Sequence, residues 1–374
     1  MAIYKLFPDK DATIVSNFPA QNQGRDEILE IGTFNGTSSL DASAMGTFPA
    51  YKRSLIKFNS SEISNILSNK VGSNDFSASL KLFLAHAEGV PLDYNIFCSA
   101  ISQSWGMGTG RNHDIPKTTN GCSWVFTQNS GSLPWADDSF EPFVTASFSG
   151  SIPGGGTWYY GGTGLVPTSS QNFTYTTNKD VNIDVKPHIL LWESGTISNE
   201  GFILKLDETS ETRENLCLLK FFSVDTHTIY PPTLEIKWDD SDFSSTATVV
   251  TSSDFVAKVI NLKSQFEDSS VYKFKVKARD TFPTRMFQTS SVYLNTKILP
   301  TSSYYGLKDV KTEEMVVDFD SQFTKLSAND NENYFTLYMD GLEPERYYQI
   351  VIKTIVEGET IIIDDETNYF KLIR

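Results

Sequence analysis

Four histidines, His86, His113, His188 and His227, are the first residues to weigh as catalysts or ligands, and they stand far apart in the chain. No two share a metal-binding interval. His113-Asp114 has the composition of an acid–base pair, but between turn formers it reads as a solvated loop histidine beside an acid. Adjacent carboxylates occur at Asp137-Asp138, Asp239-Asp240, Asp318 with Asp320, and Asp364-Asp365. Glycoside hydrolysis needs two carboxyls delivered from different elements across a cleft, which sequence neighbours do not specify, so these read as turn acids. Gly106 to Gly110 and Gly154-Gly155-Gly156 do not follow a strand into a helix, as a phosphate cradle requires. They read as turns. No catalytic residue, metal site or cofactor is expected. A structural calcium ion would suit a β-sandwich loop, yet no Asp-x-Asp-x-Asp-Gly segment is present.

The elements that carry these residues are strands. Val181, Ile183 and Val185 alternate with Asn182, Asp184 and Lys186, the period of a half-buried strand. Pro187 suits a first helical turn, Ile189 to Trp192 allows one or two turns, and Gly195 closes them with positive φ. After Asn199-Glu200-Gly201 the alternation resumes at Phe202, Leu204 and Leu206.

That order resembles the DNRLRE, or disaggregatase-related, domain, which is grouped with carbohydrate-binding modules. Asp184, Val185, Trp192, Gly195, Asn199, Gly201, Phe202, Leu204 and Lys205 fall on its hallmark. Lys186 stands where the family has a helix-capping threonine, and Asp184 could supply the oxygen instead. Asp11 to Ile14, the turn near Asn22, Ile28 to Gly32, the strand Arg53 to Phe58, the loop Ser60 to Ile63 and the strand Ala78 to Leu84 resemble its opening. Leu216 to Phe222 and Thr233 to Trp238 after Pro231-Pro232 resemble its end. The resemblance implies a jelly-roll-type β-sandwich over residues 1–240. It makes Arg53 a structural strand charge and Thr157-Trp158 the closure of a loop.

Within that module, 104–160 is an unusually long insertion rich in Gly, Ser and Asn, punctuated by Trp105, Trp124, Trp135 and Trp158. A segment of this length is packed by its own aromatics or touches something. Trp158, Tyr159 and Tyr160 are the candidate sugar-stacking platform; against it, aromatics in a Gly-rich loop commonly fill the cap of a sandwich.

Asp239 to Ser253 is rich in Ser, Asp and Thr, and 241–253 reads as a linker. Residues 254–374 give a second all-β pattern. Lys273, Lys275 and Lys277 occupy the solvent face of one strand. Leu342-Glu343-Pro344 followed by Tyr348 and alternating aliphatics resembles the tyrosine corner of fibronectin type III and immunoglobulin-like domains, which implies a hydrogen bond from Tyr348 back across the corner. A hairpin near 296–330 is expected as the surplus over one such sandwich. The fold class is therefore all-β, with two sandwiches in series.

The 374 residues carry a formal charge of -15, with 39% hydrophobic residues. Mean hydropathy is -0.26 and the pI about 4.7. Acidity argues against a phosphate-neutralising surface, and no apolar run approaches bilayer length. Cys98, Cys122 and Cys217 sit in hydrophobic stretches and read as buried free thiols. The amino terminus lacks the pattern of a secretory signal. Modular sandwiches without an export address match a bacteriophage virion component assembled in host cytoplasm. The expectation is thus a non-enzymatic virion structural protein (decoration, neck, fibre or baseplate component) whose partners are other virion proteins and symmetric copies of itself. The alternative is a carbohydrate-binding module for host or matrix polysaccharide. Neither nucleic acid nor membrane is expected as a partner.

Overall fold

The computed structural model describes residues 2–37, 47–129, 132–135, 144–146, 154–159, 166–174, 176–207, 211, 216–282 and 296–374. The fold is all-β, and the chain divides into two compact units: Leu6–Lys70 with Ala78–Glu235, and Met1–Lys5 with Val71–Ser77 and Ile236–Arg374.

The first unit is built on an eight-stranded sheet. Its order runs Ser169–Thr174, Asp93–Ala100, Phe202–Leu206, Thr47–Lys57, Ile28–Thr37, Cys217–Phe222, Leu84–Glu88, and Lys10–Val15 also pairs with Thr47–Lys57. Val181–Asp184 joins Phe76–Leu82 in a separate sheet, in the register Val181↔Leu82 to Asp184↔Ser79. The expected alternation is present there: Val181 and Ile183 are buried while Asn182 and Asp184 are exposed.

The order strand, helix, turn, strand read for 181–206 is present. The helix spans Lys186–Glu193 with Pro187 in its first turn, and Gly195 has φ 68°. Asp184 Oδ1 accepts from the Lys186 N–H at 3.0 Å, a bond in the turn leading into the helix, while Val185 at the cap position gives no side-chain cap. Asn199 both accepts from Gly201 N and donates to Phe58 O, which fixes the turn. Phe202–Leu206 departs from expectation. Every residue of it is buried, because both faces of this central strand are covered.

A second departure follows Phe58. The segment expected as a loop forms the helix Ser60–Ile66, which continues as a π-helical turn over Leu67–Val71. Asn59 caps it, accepting from Ser61 N and Glu62 N, and Ile63 and Ile66 bury its apolar side.

The second unit is a two-sheet sandwich. One sheet orders Phe255–Val259, Val271–Asp280, Asn333–Tyr338, Ser327–Ala328. The other orders Gln265–Glu267, Tyr369–Ile373, Tyr347–Val356, Ser303–Asp309, Met315–Val317, with Glu359–Ile363 also on Tyr347–Val356. Both contribute to one core that includes Phe274, Phe335, Tyr305, Ile350 and Phe370. Tyr305 stacks on Phe335 with ring centres 4.3 Å apart. As expected, Lys273, Lys275 and Lys277 stay off the buried face taken by Phe274, Val276 and Ala278.

Residues 296–330 are not a surplus hairpin. Ser303–Asp309 lies inside the six-stranded sheet, and Tyr305 and Leu307 are completely buried, so this segment is core. The 241–253 stretch is likewise held to the second unit. Ser244 N donates to Ala328 O, Val250 N donates to Ile298 O, and Val250 belongs to the core.

Candidate functional site

On strand Thr47–Lys57, Tyr51, Arg53 and Leu55 point to one face of the large sheet by the two-residue period. That face is roofed. Trp105, Trp124, Trp135 and Trp158 of the long insertion pack with Ala12, Ile14, Tyr51, Leu55, Ile101 and Ile203 in a single apolar cluster. Here lies the reason Phe202–Leu206 is buried on both sides: Ile203 sits beneath this roof.

Arg53 is the polar centre of the roofed face, with only 1% of its surface exposed. Its Nε donates to Glu211 Oε1 at 3.0 Å and its Nη2 to Glu211 Oε2 at 2.6 Å. Nη1 donates to Gly155 O at 2.7 Å. The guanidinium carbon lies 5.1 Å from the centre of the Trp124 ring and 5.4 Å from that of Trp158. A planar cation with both its fork and its faces engaged suits a dry site, because arginine is weakly hydrated and accepts two-point pairing and ring stacking together. The arrangement ties Gly155 of the insertion and Glu211 to the same strand. Arg53 is thus structural, as the resemblance implied.

A further anchor is Asn22. Its Nδ2 donates to Met107 O and Cys122 O, and its Oδ1 accepts from Gly110 N and Gly24 N. One side chain therefore uses its full amide capacity to clasp both ends of the 107–122 loop. The tip of that loop carries Ile115, which is 94% exposed.

The sugar-platform residues separate. Trp158 is buried, with Arg53 and Lys205 over its ring, and it presents no open stacking face. Tyr159 is half-buried against the small cluster of Ala100, Val166 and Ile197. Tyr160 lies outside the described residues. The described part of the insertion is packed by its own tryptophans.

The acidic pairs take the turn roles expected of them. Asp320 accepts from Gln322 N and Phe323 N, Asp239 from Ser241 N, and Asp365 from Thr367 N. Asp114 accepts from Thr118 Oγ1 and, next in weight, from Arg111 N, which holds its carboxyl below the usual range, while His113 is exposed. Asp137 and Asp138 lie outside the described residues. Among the described residues, no group of three or more His, Cys, Asp or Glu side chains could hold a metal ion. Cys98, Cys122 and Cys217 are free and buried. Burial pushes the Cys122 thiol up to about 12 and that of Cys217 to about 11.

One cleft opens between the two helices of the first unit. It measures about 430 Å³ and is lined by Ser60, Ile63 and Ser64 on one side and by Trp192, Glu193 and Ile197 on the other. The Trp192 ring packs on Phe202 at 4.7 Å, and Ser64 Oγ donates to Glu193 Oε1 at 3.3 Å. The sequence reading did not find this cleft, because the facing helix was read as a loop. The Asn59-x-x-Glu62 spacing is the capping signal that marks that helix.

In the second unit, Tyr348 Oη donates to Glu343 O at 2.8 Å, the bond back across the corner that the tyrosine-corner resemblance implied. Comparison with known proteins finds no family model and no curated protein that matches this chain.

Proposed function

We propose that this protein is a non-enzymatic structural component of a bacteriophage virion, a decoration, neck, fibre or baseplate protein that binds neighbouring virion proteins through loops and strand edges. The supporting observation is the construction of the 104–160 insertion. Its tryptophans are spent inward on the Arg53 face, while its clasped loop holds Ile115 out to solvent. A loop stiffened in this way loses little conformational freedom on association, which favours contact with a protein partner. The resemblance of 1–240 to DNRLRE modules and of 254–374 to fibronectin type III or immunoglobulin-like sandwiches supports the same reading, as does the jelly-roll-type expectation for the first unit. Mass spectrometry of purified particles from the host of origin tests it. The chain should be present in fixed stoichiometry, and replacing residues 111–118 by a short Gly-Ser linker should lower its occupancy. Normal occupancy after that replacement counts against the loop as the contact.

A second reading, a carbohydrate-binding module, is favoured by the helix–helix cleft, where an indole ring, serine hydroxyls and a carboxylate meet. Glycan-array binding that is lost in Trp192→Ala and kept in a folded Trp158→Phe would support it; no binding to any glycan would remove it.

A further inference from the structure

Strand Glu359–Ile363 follows Tyr347–Val356 through the two-residue turn Glu357-Gly358, whose φ values are 52° and 84°. Both being positive makes this the tight mirror-image turn that matches strand twist. In the register Val356↔Glu359 to Ile352↔Ile363, the pair flanking such a turn exchanges both its hydrogen bonds. Glu359, Ile361 and Ile363 therefore aim their main-chain groups at Tyr347–Val356. Thr360 and Ile362 aim theirs away from it.

Among the described residues, no strand pairs with that side. Tyr369–Ile373 lies on the same neighbour and is flanked by the parallel strand Gln265–Glu267, but among the described residues Glu359–Ile363 pairs with Tyr347–Val356 alone. Among the described residues, the Thr360 and Ile362 main-chain groups make no hydrogen bond to a further segment. The vacancy is unprotected by the usual devices. Other edges of this unit are short, as at Met315–Val317, or carry a lysine, as at Lys258. Glu359–Ile363 instead presents three successive isoleucines with no proline, lysine or bulge, and Ile362 is 57% exposed.

The ends of the vacancy are acidic. Between Lys353 and Lys371 the chain has Glu357, Glu359, Asp364, Asp365 and Glu366 and no basic residue. Lys308 neutralises Asp364 at 3.0 Å, while Glu357, Glu359 and Glu366 remain exposed at the two ends.

We propose that the free edge of Glu359–Ile363 is a strand-addition site for an extended, β-branched segment of another protein that carries lysine or arginine on both sides of its pairing residues. The main chain of Thr360 and Ile362 supplies the ladder, the exposed Ile362 side chain the apolar contact, and the flanking acids the preference for a basic segment over a second copy of this acidic chain. This deepens the reading of the protein as one that docks to others, and rests on it, but it is tested without particles.

The test uses the full chain and two labelled peptides of alternating valine and threonine, one flanked by paired lysines and one by paired glutamates. In the free chain the amides of Thr360 and Ile362 should exchange with solvent much faster than those of Ile361 and Ile363. The lysine-flanked peptide should slow them about tenfold or more, the glutamate-flanked peptide should not, and added salt should weaken the effect. Ile362→Pro, which deletes the outward N–H, should abolish the slowing. Ile362→Lys should do the same with the strand intact. Equal action of both peptides, unchanged exchange at Thr360 and Ile362, or a dimer of the chain formed through this edge would overturn the proposal. Absence of the chain from particles would instead remove only the virion reading.

Discussion

Arg53 and Glu211 form a two-point ion pair inside the first unit, with Nη2–Oε2 at 2.6 Å and Nε–Oε1 at 3.0 Å, and both side chains are almost wholly buried. Such a pair offsets its own desolvation only while both members are present. Arg53→Met or Glu211→Gln should each cost about 3–5 kcal/mol in urea unfolding, whereas Arg53→Met combined with Glu211→Leu should cost clearly less. In both single variants the 104–160 insertion should become sensitive to protease. A single variant with wild-type stability and resistance would contradict the pairing.

Trp158 tests the roof. Trp158→Ala leaves a cavity against Ile203 and removes a ring from the guanidinium, so a loss of about 3–5 kcal/mol is expected. Trp158→Phe should lose less. Calorimetry that finds both variants within experimental error of wild type would place this ring outside the core.

Tyr348→Phe deletes the bond to Glu343 O while keeping the ring on Phe370. The net loss should be about 1 kcal/mol, seen as a lowered Tm of the second unit alone. An unchanged Tm would mean that the corner bond contributes nothing.

Asp11 is 1% exposed, and burial raises its carboxyl to about 8, against the opposing hydrogen bond from Val224 N. The folded chain therefore holds a proton that the unfolded chain releases near pH 4. This group's stabilisation is complete below about pH 4 and is lost as pH rises through about 8. Asp11→Asn keeps the neutral form, so its stability relative to wild type should rise between pH 5 and pH 8 and level off above. Denaturation at pH 5, 7 and 9 checks the trend; a constant difference would refute it.

His188 has the opposite sign. Burial lowers its imidazole to about 4, with the Pro167 carbonyl and the Asp184 charge pulling the other way. Its ring meets Phe202 edge-on at 5.7 Å. The unfolded chain takes up a proton near pH 6.5 that the folded chain refuses until about pH 4, so stability falls as pH drops through that window. His188→Leu should flatten this part of the pH–stability curve even if it shifts the whole curve. The same slope in the variant would assign the acid sensitivity elsewhere.

Much of the fold is legible in local pattern. The 181–206 run shows its strand, proline-started helix, glycine stop and second strand because each is set by neighbours within a few residues. Tyr348 is readable for the same reason, its partner lying five residues away. What the residues do not announce is decided at long range. Glu211 gives no sign that it will meet Arg53, 158 positions earlier. Ile203 and Lys205 look like an ordinary solvent-side alternation until the insertion settles over them. The segment 296–330 reads as a surplus hairpin because residues 254–374 exceed one such sandwich, and only the pairing of Ser303–Asp309 with Tyr347–Val356 makes it core. The candidate docking edge at Glu359–Ile363 was equally hidden, since a run of isoleucines reads as interior until its neighbours are counted.

The order of the eight-stranded sheet has a bearing on how the chain is made. Cys217–Phe222 inserts between Ile28–Thr37 and Leu84–Glu88, so a ribosome must deliver about two hundred residues before the last gap in that layer can close. Until then two unzipped margins face solvent, and nascent chains crowded on one message are at their greatest risk of cross-pairing. Slower translation or a holding chaperone just upstream of Cys217 should therefore change the yield of intact protein more than the same intervention after Trp238.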